Sequence, residues 1–157
     1  MAVDLTVNST PHRLDGPPEV TLLEALRDRL GLTGAKYGCG EARCGACVVL
    51  LDEKPVASCV TTVGDAAGKR VTTVEGLAED GALHPVQQAF VDADALQCGY
   101  CTPGMVVGAV ALLRETPRPT REQIVAAMQY HVCRCGAYAR IVAAIQLASE
   151  RMSGSAR

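Results

Sequence analysis

Eight cysteines fall in two groups, Cys39, Cys44, Cys47 and Cys59 in the first half of the chain and Cys98, Cys101, Cys133 and Cys135 in the second. Each group carries enough thiolates for one metal centre. The first reads C-x4-C-x2-C with a more distant fourth cysteine, the spacing of a plant-type ligand set for one 2Fe-2S cluster. The second pairs a C-x2-C with a C-x-C about thirty residues later, a spacing unusual for zinc and wrong for the consecutive run that carries cubane clusters. In a 2Fe-2S centre each iron takes two thiolates, and backbone N–H groups stabilise the negative cluster, more so once it is reduced. Two such centres in one small chain imply electron transfer. Two other uses of the cysteines compete. A disulfide framework belongs to small secreted chains that lack a core, whereas zinc suits thiolate clusters and short C-x2-C knuckles.

The elements that must position these thiols are legible from pattern. Val3, Leu5 and Val7 alternate with polar residues and predict a half-buried strand, and a turn-rich stretch leads from it through Pro17 and Pro18 to a helix. Thr21 and Glu24 have the spacing of a capping box, Leu22, Leu23, Leu26 and Leu30 form an apolar stripe, and Gly31 sits at the exit. The run GAKYGCGEARCG from Gly34 to Gly45 is too rich in glycine for a regular element and is suited to folding tightly around a centre. Val48 to Leu51 and Val56 to Val60 read as strands joined by a DEKP turn, with another short strand from Val71 to Val74. Strand, helix, glycine-rich loop and further strands make an α+β domain over residues 1–76.

Residues 77–83 read as a linker, after which the periodicity is helical. Pro85 opens a helix with Val86, Ala89, Phe90 and Ala93 on one face, and Thr102 and Pro103 have the types of N-cap and first helical residue for a second. Thr120 and Gln123 form a capping box for a third helix with Ile124, Ala127 and Met128, and Ile141, Val142, Ile145 and Ala148 mark a fourth. The helical domain is expected over residues 84–152, with a disordered tail over 153–157. Cys98 and Cys101 then lie between the first two helices, and Cys133 and Cys135 between the last two. Two packed helical hairpins would bring both loops to one end of the bundle and close a second four-thiolate site.

Composition narrows the function classes. With 157 residues, 48% hydrophobic, the chain can bury a core, and a net charge of −2 with one Phe and four Tyr offers neither a basic field nor a stacking platform for nucleic acid. No apolar run is long enough to span a membrane, and MAVDLTVNST lacks the features of a secretory signal, so a soluble cytoplasmic protein is expected. Phosphate loops, dinucleotide fingerprints and nucleophile elbows are absent from the sequence. His12, His84 and His131 lack the pairing with cysteine that a Rieske centre needs and read as neutral surface or packing residues. Arg43 and Arg134, each beside a cysteine, could offset cluster charge or simply be solvated. Gln97 is by type an ordinary helix-end residue that happens to precede Cys98.

Three stretches, GLTGAKYGCGEARCGACVV with Cys59, LQCGYCTPGM and CRCGAYARI, closely resemble the small iron–sulfur subunit of the molybdenum hydroxylases, the xanthine oxidase and aldehyde oxidoreductase family. The resemblance spans almost the whole chain. It implies a β-grasp, ferredoxin-like domain holding one 2Fe-2S cluster on Cys39, Cys44, Cys47 and Cys59. A four-helix domain would hold the second on Cys98, Cys101, Cys133 and Cys135. It also implies that Gln97 and Cys135 contact the pterin of a molybdopterin cofactor held mainly by a large partner subunit. The implied reaction is hydroxylation of an aldehyde or an electron-poor N-heterocycle, this chain relaying the electrons to a flavin subunit, a cytochrome or another acceptor; the sequence does not decide which. Gly-Ala-Tyr after Cys135 leans towards the separate-subunit members. Ala42 and Arg43 depart from residues common in the family, without removing a ligand. The competing readings at this point are a free-standing two-cluster carrier and a zinc-binding structural module.

Overall fold

The computed structural model of the chain describes residues 2–154. The alternation of Val3, Leu5 and Val7 produces β1 (Ala2–Val7), with all three side chains buried. Asn8 and Ser9 then turn the chain at φ +48° and +66°, the left-handed pair of a two-residue hairpin. β2 (Thr10–Asp15) returns antiparallel, Val7 opposite Thr10. This strand replaces part of the expected turn-rich stretch. Its sequence TPHRLD buries only Leu14, and it lies at the sheet edge, where the missing N–H of Pro11 is tolerated.

The helix α1 begins at Leu22–Glu24 and widens into a π turn over Ala25–Arg29. Thr21 Oγ1 accepts from the Glu24 N–H at 3.2 Å, which is one half of the expected capping box, while the Glu24 carboxylate turns instead towards Arg29, 3.9 Å away. Leu22, Leu23 and Leu26 are buried, Leu30 packs partly exposed at the end, and Gly31 leaves at φ +68°.

β3 (Val48–Leu51) and β4 (Lys54–Ala57) form a second hairpin around Asp52 and Glu53, at φ +46° and +69°. The turn is thus two residues long, not the DEKP stretch. Lys54 and Pro55 already pair with Leu51 and Leu50, and the chain leaves the strand at Ser58 instead of continuing to Val60. β5 (Arg70–Thr72) inserts between β1, to which it is parallel, and β3, to which it is antiparallel, giving the order β2-β1-β5-β3-β4. Val74, expected in that strand, instead opens a short 3-10 turn over Val74–Leu77.

Four helices follow: α2 (Pro85–Asp92), α3 (Thr102–Glu115), α4 (Arg121–Met128) and α5 (Tyr138–Gly154). α2 is capped by His84, whose Nδ1 accepts from the Val86 N–H at 3.2 Å while the Gln87 side chain accepts from the His84 N–H at 2.9 Å. α4 has the reciprocal Thr120–Gln123 box. At α3 the N-cap is Cys101; Thr102 and Pro103 are its first two residues, one step on from the expected placement. Leu77, expected in a linker, is buried against the helices, and Gln87 Nε2 donates to the Val74 carbonyl at 2.9 Å. α5 runs on through Ser153 and Gly154, expected in the tail, and 155–157 lie outside the described residues.

The run VVLL in β3 is buried on both sides of the sheet, as a continuous apolar strand should be. Val49 and Leu51 pack with Leu22 and Leu26, whereas Leu50 packs with Val86, Phe90 and Met105. The sheet therefore lies between α1 and the helical half of the chain. No helix among the described residues is long and apolar enough to cross a membrane.

Candidate metal centres

The glycine-rich stretch folds as a chain of bends between α1 and β3. Gly40, Ala42 and Gly45 adopt φ +71°, +58° and +72°, which turns successive amides inward. Glu41 N–H and Arg43 N–H point at Cys39 Sγ at 3.4 and 3.2 Å, and Cys39 N–H at Cys44 Sγ at 3.4 Å. These amides, Glu41 first and Arg43 next, hold the Cys39 thiol down to about 7. A Cβ on Gly38 would lie 2.7 Å from Cys44 Sγ, so the backbone approaches that sulfur as closely as only glycine permits. From outside, Arg27 braces the loop through the carbonyls of Thr33 and Ala35 at 2.9 and 2.8 Å, and Glu75 accepts from the Gly34 N–H at 2.7 Å. Cys47 and Cys59 form the buried side, where burial pushes the Cys47 thiol up to about 11. Ser58 Oγ donates to the Cys47 carbonyl at 2.6 Å and fixes the bend that delivers Cys59.

The second set is built at the helix ends, Cys98 and Cys101 between α2 and α3, Cys133 and Cys135 between α4 and α5. Cys98 is exposed and its thiol is lowered by the Tyr100 N–H and then by the neighbouring Cys135. Cys101 is pushed up to about 12 by burial, with Cys133 beside it. Burial also acts to raise the Cys133 thiol, but the Ala137 N–H, 3.4 Å from its sulfur, and further donors bring it down on balance. Tyr138 accepts the Cys133 N–H at 2.8 Å and orients this loop. Gln97 Nε2 donates to the Cys135 carbonyl at 3.3 Å, which brings these two expected cofactor contacts together at an exposed position.

The two sets are also tied to each other. Val132 N–H, next to Cys133, donates to the Cys44 carbonyl at 2.9 Å, and Tyr100 Oη–H, between Cys98 and Cys101, donates to the Tyr37 carbonyl at 2.6 Å. At the same junction Gly104 lies so close to the Gly45 carbonyl that a Cβ there would overlap it. Val132 and Tyr100 escape sequence reasoning, since their only signal is adjacency to cysteine, and Tyr138, three residues past Cys135, carries less signal still. Arg43 is exposed and lies 3.6 Å from Glu41, and Arg134 is exposed too, as solvated side chains would be.

All eight cysteines are free thiols in the structure. Four thiols in each set, with amide donors already aimed at Cys39, Cys44 and Cys133, are the donor chemistry that a 2Fe-2S cluster requires.

Residues 5–78 match the family described as "2Fe-2S iron-sulfur cluster binding domain", and residues 73–146 the family described as "[2Fe-2S] binding domain". The small FeS subunit of nicotinate dehydrogenase from Eubacterium barkeri is 44% identical over 96% of this chain and 96% of its own length. Among solved structures, quinoline 2-oxidoreductase from Pseudomonas putida is 38% identical, with a TM-score of 0.91, over 98% of this chain and 97% of the matched chain. The aldehyde oxidoreductase of Desulfovibrio desulfuricans is 40% identical with a TM-score of 0.93, this chain covering 17% of that longer one. The chain thus belongs to the family of small iron–sulfur subunits of the molybdenum hydroxylases and is an electron-transfer subunit of an oxidoreductase.

Proposed function

We propose that Cys39, Cys44, Cys47 and Cys59 hold one 2Fe-2S cluster and Cys98, Cys101, Cys133 and Cys135 the other, and that Gln97 and Cys135 meet the pterin of a molybdopterin cofactor bound by a large partner subunit. The observation that carries this reading is the pairing of neighbouring thiols within each set, Cys39 with Cys44, Cys47 with Cys59, Cys98 with Cys135 and Cys101 with Cys133, with backbone amides directed at sulfurs in both. When bound, each cluster supplies reversible uptake of one electron. The chain's own part is to supply thiolates, donate amide hydrogen bonds to them and exclude water on the Cys47 and Cys133 sides, where both residues are buried. The Gln97 to Cys135 hydrogen bond supports the pterin contact, because it presents the second centre at the surface through a polar pair.

The division into a β-grasp domain over 1–76, a linker over 77–83 and a four-helix domain over 84–152 is part of the proposal. It is supported by the mixed sheet order and by the two family matches, which meet over residues 73–78. The partner subunit is proposed to cover an apolar groove of about 340 Å³ beside Cys98, lined by Leu83, Phe90, Val91, Leu96 and Pro103. Leu83 is 48% exposed and Val91 58%, more apolar surface than a solitary chain benefits from showing. The complex is proposed to oxidise an N-heterocycle or an aldehyde, the substrate types named by the relatives. A flavin subunit or a cytochrome takes the electrons onward, and free thiols of this kind suit the reducing cytoplasm.

Low-temperature EPR with spin counting on the dithionite-reduced complex tests the ligand sets. Two distinct 2Fe-2S signals totalling about two spins per chain are expected. Cys135→Ser is expected to damage the second signal and slow turnover of the complex while leaving the first signal intact. Unchanged turnover with both signals intact in that variant would overturn the assignment.

A further inference from the structure

His131 is the residue that the two-cluster arrangement leaves unexplained. Both of its ring nitrogens are buried, and neither meets a well-formed hydrogen-bond partner among the described residues. The polar group that faces the ring is the Gly104 backbone. An imidazole shut away from water in this manner normally finds a donor or acceptor, so its polar chemistry does not account for its place. Its shape does. A Cβ on Gly45 would lie 2.6 Å from the ring's Cδ2 and one on Gly108 2.7 Å from its Nε2, so the ring fills a slot that glycine backbone lines at two places. Gly45 follows Cys44 in the first loop, and Gly108 belongs to α3 of the helical half. The next residue along the chain, Val132, makes the 2.9 Å bond to the Cys44 carbonyl and is followed by Cys133. The ring therefore lies beside a bonded link between the two cysteine sets and against α3 of the helical half.

We infer that His131 is a positioning residue, a wedge between Gly45 and Gly108 that sets the separation of the two cluster loops and with it the coupling between the clusters. This rests on the two-cluster reading above. A smaller side chain leaves the slot unfilled, so the Val132 N–H and the Cys44 carbonyl separate more readily. A flat ring without nitrogens keeps the fit. A methyl group added at Gly108 presses on the ring while the imidazole itself is kept.

The test uses the intact complex of wild type, His131→Ala, His131→Phe and Gly108→Ala. It reads iron and sulfide content, the magnetic splitting between the clusters in EPR of the fully reduced state, and amide exchange of the peptide carrying Val132. His131→Ala is expected to keep full iron and both signals, to lose severalfold in splitting, and to exchange faster at Val132. His131→Phe is expected to retain the wild-type splitting, and Gly108→Ala to shift it. Splitting and exchange that are unchanged in both His131→Ala and Gly108→Ala would overturn the inference. So would equal losses in His131→Ala and His131→Phe, which would assign the effect to the ring nitrogens, or two wild-type signals with no splitting between them. If His131→Ala fails to assemble, His131→Phe and Gly108→Ala decide. A wild type lacking two cluster signals would instead sink the two-cluster reading itself.

Discussion

Within the first loop the proposed ligands and their donors come from different kinds of information. The cysteines are identified by spacing alone, whereas the amides that stabilise them depend on backbone angles that no spacing reveals. Ala42 illustrates the difference. It sits at φ +58° in the bend that aims the Arg43 N–H at Cys39 Sγ, a conformation in which a Cβ crowds the following carbonyl. Ala42→Gly is expected to stabilise the cluster-loaded protein by about 1 kcal/mol, the strain of a left-handed residue less the extra freedom glycine has when unfolded. Thermal unfolding of wild type and variant would check this, with an unchanged first EPR signal. The departure of Ala42 from the family pattern is visible in the sequence; that it occupies a left-handed position is visible only in the fold. Tyr138 was hidden for a related reason, because its hydroxyl reaches back to the Cys133 N–H only once the loop has closed.

Helices were more legible than strands, and the reason lies in their ends and faces. α2, α4 and α5 follow from caps and apolar stripes written over a few consecutive residues, while β2 and β4 are edge strands whose polar sequences carry little periodicity. At α3 the rule favouring Thr at the N-cap was overridden because Cys101 occupies that place, leaving the Thr102 hydroxyl buried without a hydrogen-bond partner among the described residues. α2 gives a titratable cap. His84 Nδ1 accepts from the Val86 N–H, and burial holds the imidazole's pKa below its ordinary value, with Glu79 partly offsetting this. Above the unfolded value of about 6.5 both states are neutral and pH has no leverage. As pH falls through that value the unfolded chain takes up a proton that the folded cap refuses, so stability declines towards the lower folded pKa. His84→Asn retains a cap acceptor that does not titrate. Its thermal stability is therefore expected to fall less steeply than that of wild type below about pH 6.5; parallel pH profiles would dismiss the role.

Across the whole molecule the sheet is shared. β3 directs Val49 and Leu51 to one core and Leu50 to the other, Arg114 of α3 pairs with Glu53 in the β3–β4 turn, and the two cysteine loops are joined through Val132 and Tyr100. The sequence divides cleanly into a strand-rich and a helix-rich half, but this mutual burial was not legible, because a run such as VVLL says that both faces are covered without saying by what. A fragment ending at Ala78 is thus expected to bind hydrophobic dyes and to unfold at lower temperature than the full chain. Exposing Leu50 alone forfeits about 1.5–3 kcal/mol. Equal thermal stability of the fragment would refute the dependence. The same two-faced strand imposes an order on biosynthesis. During translation the sheet emerges with Leu50 uncovered and stays so until α3 leaves the ribosome, and the Cys44 carbonyl waits longer still for the Val132 amide. The nascent first half thus exposes an apolar face that calls for chaperone cover, and its cysteine loop reaches its finished geometry only after the last helix hairpin has docked.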